Sequence, residues 1–123
     1  MRPIYDVMLA AALTPLAAMP FALAQDSNNP NIYMVNYIEV LPSAKSQTAG
    51  MLKQLATASR QEGALRFEVL QRTVPTSHFL ILEVWKDQKS DNAHELAAHS
   101  KEFRQQIDPL IGALYDQRWY KAL

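Results

Sequence analysis

The chain contains no cysteine. Disulfides, thiolate nucleophiles and cysteine-based metal centres are therefore excluded. Glycine is nearly as scarce, with three residues in 123. None of the three falls in a dinucleotide fingerprint or a phosphate loop, so a backbone cradle for cofactor phosphates is not expected. A Gly-x-Ser-x-Gly elbow is also missing, which removes the usual serine-nucleophile arrangement. Charge of one sign is absent: 12 basic residues balance 12 acidic ones. Nucleic-acid binding needs a basic face for the phosphates, and so does an anionic lipid surface. Neither partner is expected.

Long apolar runs are confined to the N-terminus. After Arg2, the segment Val7 to Ala24 is almost wholly apolar or small, and it ends Ala22-Leu23-Ala24, a pattern that signal peptidase accepts. Pro15 and Pro20 interrupt it and no basic stop-transfer run follows. Residues 1–24 read as a cleaved secretory signal, with a retained anchor as the alternative, and residues 25–31 as a polar leader. The expected address is the bacterial periplasm or the medium. Residues 32–123 then form one domain.

What is present in that domain is alternating and helical pattern. Ile32 to Leu41 is rich in β-branched and aromatic residues on both alternating sets, so it reads as a strand buried on both faces. Pro42 ends it and Ser43 can cap a helix running to Glu62, with Gly63 free to take a left-handed stop. Ala64 to Arg72 and His78 to Trp85 read as a hairpin around Pro75. Asp87 or Ser90 can cap a second helix reaching about His99, restarting near Ser100 and continuing its apolar stripe through Phe103 to Leu114. Asp116 to Leu123 reads as the last strand. The order β-α-β-β-α-β gives an α+β, ferredoxin-like fold with a four-stranded antiparallel sheet and helices on one face. The other sheet face is apolar as well, and a second copy is the economical cover.

The chemistry-bearing residues gather between Phe79 and Phe103. Glu83 and Trp85 are two apart and share a strand face. His94 and His99 follow on the helix. Five residues apart on one regular helix, they point about 140° from each other, so they are not expected to share a metal. His94 is the better cavity residue of the two, and His99 faces solvent or a seam. Trp85 reads first as core and then as a cavity wall. Glu83, if buried, needs Arg66, Arg104 or a backbone N–H, and a dimer-interface ion pair is its first reading. Asn36, polar in mid-strand, is either a satisfied structural amide or a cavity-lining donor.

The run Glu83-Val84-Trp85, then Ala93-His94 and His99, together with Val40-Leu41-Pro42, Glu62-Gly63 and Phe103, resembles the antibiotic biosynthesis monooxygenase family of dimeric α+β barrels. The resemblance spans Ile32 to the C-terminus and lies closest to the quinol-oxidising branch. It implies a homodimer and a cofactor-independent oxidation of a quinol or electron-rich phenol by O2. His94 and Asn36 would be the catalytic residues, and Trp85, His99, Phe103 and Glu83 would surround the substrate. Other members open haem, isomerise, or only bind small oxygenated molecules, so a non-catalytic periplasmic quinone-binding module is the alternative. Haem-opening members place an iron-ligating histidine where this chain has Arg104, which cannot ligate iron.

Overall fold

The computed structural model describes residues 30–123. The expected signal and all but the last two residues of the leader lie outside the described residues. The elements are β1 (Ile32–Glu39), a 3-10 turn (Pro42–Ala44), α1 (Lys45–Glu62), β2 (Arg66–Gln71), β3 (His78–Trp85), α2 (Gln88–Leu96), α3 (Ala98–Ile107), a second 3-10 turn (Asp108–Leu110) and β4 (Asp116–Tyr120). The four strands form one antiparallel sheet in the order β2-β3-β1-β4. This is the expected α+β, ferredoxin-like arrangement.

Register decides which side chains meet. Met34 lies opposite Glu83 and Trp119, and Phe67 opposite Glu83. Asn36 lies opposite Ile81 and Gln117. Since side chains alternate along a strand, these residues share the inner face with Ile38, Phe79 and Trp85. That face packs on Leu52, Leu55 and Ala56 of α1 and on Phe103 and Ile107 of α3. Each such side chain, fully buried, is worth roughly 1.5–3 kcal/mol, which makes this layer the main source of stability.

Several local expectations are corrected. β1 stops at Glu39, and Val40 makes only an isolated bridge to Ile111. It is buried on one face, at Met34, Asn36 and Ile38, while Tyr37 on the other face is exposed. Ser43 does not cap α1. Pro42 starts a 3-10 turn that leads directly into the helix, a position that suits a residue without an N–H. Pro109 likewise sits in a 3-10 turn rather than in a kinked helix. Gly63 does close α1, with φ 118°, and its N–H donates to the Arg60 carbonyl. Among the described residues no helix is long and apolar enough to cross a membrane.

Candidate active site

Between sheet and helices a polar network starts on β1 and ends at the tip of α1. Asn36 Nδ2 donates to Glu83 Oε2 at 2.7 Å. Trp85 Nε1, on the same strand face, donates to Glu83 Oε1 at 3.1 Å. His94 Nε2 stands 3.2 Å from that same oxygen. On the other side of the ring, His94 Nδ1 is 2.9 Å from Glu62 Oε2, and His99 Nε2 reaches the same oxygen at 3.0 Å. Ser100 Oγ lies 3.3 and 3.4 Å from the two His94 nitrogens, on their bisector rather than on either lone-pair axis. The Trp85 indole stacks on the His94 ring at 4.6 Å between centroids, and Phe67 meets it edge-on at 5.8 Å.

The convergence of the two histidines corrects the expectation that they diverge. They do not share a helix. Asp87 caps α2 by accepting from the Ser90 N–H, and α2 ends at Leu96. Ala97 is extended, with φ −64° and ψ 147°, and α3 starts at Ala98. The change of direction brings His99, in the first turn of α3, back beside His94 in the last turn of α2. Both then face the C-terminal end of α1, where Glu62 sits.

Glu83 is corrected too. Its partners are Asn36, Trp85 and His94, not Arg66 or Arg104. Arg66 pairs with Glu68 on the exposed sheet face, and Arg104 lies 3.9 Å over the Tyr115 ring. Glu83 is 2% exposed, and three donors around one carboxylate are what keep a buried charge affordable. Burial acts to lower the pKa of His94, but the hydrogen bonds and charges of Glu83 and Glu62 outweigh it and raise the imidazole above its ordinary value. In the protonated ring Nε2–H faces Glu83 and Nδ1–H faces Glu62, so loss of the Nδ1 proton would leave Nε2–H on the fixed Glu83 and free a lone pair at the rim. Partial desolvation of Glu95, which remains exposed at its outer edge, and the nearby Glu83 charge push its carboxyl up as well.

A cavity of about 20 Å³ lies against Glu83, His94, Ser100, Phe103 and Arg104, enough for a water molecule. A groove of about 190 Å³ lies between α1 and α3, bordered by Met51, Ala58, His99 and Gln106. Leu55 and Phe103 line both spaces and so form the wall between them. All six residues singled out in the sequence therefore stand around one network or its cavity. Glu62 was read only as a helix end. A carboxylate in the last turn of a helix opposes the macrodipole, and that conflict is the signal that it has a tertiary partner.

A ferredoxin-like α+β domain with a carboxylate–imidazole network enclosed between sheet and helices defines the class of protein. The chain belongs to the antibiotic biosynthesis monooxygenase family, whose pattern it matches over residues 31–106. The fold is shared with a protein from Nitrosomonas europaea assigned to antibiotic biosynthesis monooxygenases (TM-score 0.73, 21% identity, covering 77% of this chain and 92% of that one). It is shared also with Rv0793 from Mycobacterium tuberculosis (0.71, 15%, 76% and 95%). A conserved protein from Methanosarcina mazei is similar to the same degree (0.71, 22%, 78% and 96%). No curated protein matches the chain.

Proposed function

We propose that the protein is an exported monooxygenase that oxidises a quinol or related electron-rich phenol with O2 and draws every electron from the substrate. The observation that carries this reading is the buried Asn36–Glu83–His94 network. It holds one imidazole in a single orientation, beside an apolar wall of Phe103 and Leu55, in a monooxygenase-family fold. For a hydroquinone the reaction balances as quinol plus O2 giving hydroxyquinone plus water. One oxygen atom enters the ring and the other leaves as water, and the substrate supplies four electrons.

The phenolic hydroxyl gives up a proton before the ring donates an electron readily. Glu83 fixes His94 through Nε2, as carboxylates orient catalytic imidazoles elsewhere. Nδ1 of the neutral ring takes the phenolic proton once the substrate displaces Glu62, which is only partly buried at the rim. Asn36 holds Glu83 in place. Trp85 stacks on the imidazole, and Phe103 shields the ring being oxidised from water. The groove beside His99, at about 190 Å³, falls below the roughly 300–1,000 Å³ of pockets for larger ligands. It borders His99 and Phe103 but not His94, so a single-ring substrate seated there, rather than a haem, would reach Nδ1 past the displaced Glu62. The cation–aromatic contact that holds Arg104 over Tyr115 supports the same choice.

Oxygen uptake with a panel of hydroquinones is the test, with one O2 expected per quinol and a hydroxyquinone as product. A general base typically contributes about 10²–10⁴-fold, so His94→Ala should slow turnover by at least about a hundredfold, and haem titration should give no Soret shift. Binding without turnover across the panel would instead make this a small-molecule binding module.

A further inference from the structure

The geometry points to a divalent metal site made of Glu62 Oε2, His94 Nδ1 and His99 Nε2, at the junction of α1, α2 and α3. These three atoms lie within 4.8 Å of one another, and the two imidazoles approach the same carboxylate oxygen at 2.9 and 3.0 Å. Ligands bonded to one ion at about 2.0–2.1 Å are separated by roughly 2.9–3.4 Å, from cis-octahedral to tetrahedral angles. The two nitrogen–oxygen separations are therefore already those of a loaded site, and the two nitrogens, within 4.8 Å of each other, have at most a small distance to close around an ion. Two histidines and one carboxylate with open positions is a donor set that takes Zn2+ and other first-row divalent ions.

A second observation is independent of that spacing. The far nitrogen of His94 is backed by Glu83, which Asn36 and Trp85 hold in turn. A carboxylate behind the ligating imidazole is the usual support of a metal-bound histidine, because it fixes the tautomer and makes the outward nitrogen a better donor. Access is also right. His94 is buried, but the side chains of Glu62 and His99 are 21% and 29% exposed, so an ion and the remaining water ligands can enter from solvent. The site does not rest on the proposed oxidation. A bound ion would occupy the nitrogen that the oxidation uses as its base, so the metal-loaded and base-active states exclude each other.

The experiment is calorimetric titration of the whole chain, stripped with chelator, with Zn2+. Co2+ is the spectroscopic probe, since nitrogen and oxygen ligation gives it visible absorption bands. One ion per chain is expected. Glu62→Gln and His99→Ala, both at the rim and both checked for native circular dichroism, should each weaken Zn2+ binding by at least about tenfold, the scale on which even supporting residues act. His78 is the third histidine of the chain and sits by Glu39 on the other sheet face, so His78→Ala should leave binding unchanged. The inference is overturned by an absence of saturable binding up to about 0.1 mM Zn2+, a dissociation constant that would correspond to only about 5.5 kcal/mol. It is overturned equally by binding that survives both rim substitutions, or by binding that is lost with His78→Ala.

Discussion

Glu83 shows how a buried charge is carried by its neighbours. Taking a carboxylate out of water costs several kcal/mol even after relaxation. Hydrogen bonds to a charged group return about 1.5–3 kcal/mol each, and Glu83 has two such donors in Asn36 and Trp85 with His94 as its ionic partner. The intact network is therefore close to neutral in energy, whereas a broken one is costly. Glu83→Ala leaves the Asn36 amide and the His94 imidazole buried without their acceptor and should destabilise the domain by about 3–5 kcal/mol. Urea unfolding measures this, and an unchanged midpoint at unchanged slope would show that the network contributes nothing to stability. The sequence made part of this visible. Period two puts Glu83 and Trp85 on one face, and a polar residue amid apolar ones marks Asn36. Their bond was not visible, because it joins residues 47 apart on a diagonal of the β1–β3 ladder. Only the register of two strands separated by a long crossover reveals that diagonal.

At the scale of elements, the ends of helices build the site. Gly63 was legible as the stop of α1, since a glycine after a long helical run is the favoured left-handed residue. A restart near Ser100 was legible, but the position of the break, at Ala97 and so between the two histidines, was not. Alanine is the best helix former, neither glycine nor proline marks the boundary, and the extended conformation there comes from docking α2 and α3 separately. That single residue decides whether His94 and His99 diverge or converge. The α1 end can be probed directly. A Cβ at Gly63 would meet nothing within 4 Å, so a substitution there is opposed by backbone conformation alone. Gly63→Ala should cost about 1–2 kcal/mol, the penalty for an L-residue in left-handed backbone, and lower Tm by several degrees in a domain of this size. A thermal melt equal to that of the parent would mean that the chain reaches this turn without strain.

At the scale of the whole molecule, the sheet is finished on only one side. The inner face is filled by α1 and α3. The outer face presents Tyr37, Leu70 and Tyr120, each 42–52% exposed, around half-buried Val35, Leu80 and Leu82 on the two central strands. A cleft of about 550 Å³ opens on the same face beside Leu70, His78 and Leu114. The sequence carried this feature plainly, because β1 and β3 are apolar on both alternating sets, a pattern that water does not reward on an exposed sheet. A contiguous apolar surface of this kind marks an interface. We propose that it packs against the same face of a second copy, sheet on sheet, with the strands of the two sheets roughly aligned. A stable pair of this type buries about 1,200–2,000 Å² in total, within reach of a four-stranded sheet. Light scattering should therefore give twice the chain mass at micromolar concentration. Leu80→Glu puts a charge at the centre of that face, and two copies of it would oppose each other across the seam. It should yield a monomer whose helical circular dichroism is unchanged, since Leu80 points away from the helices. A parent chain that is already monomeric would leave the outer face without this role, and so would a Leu80→Glu variant that still doubles.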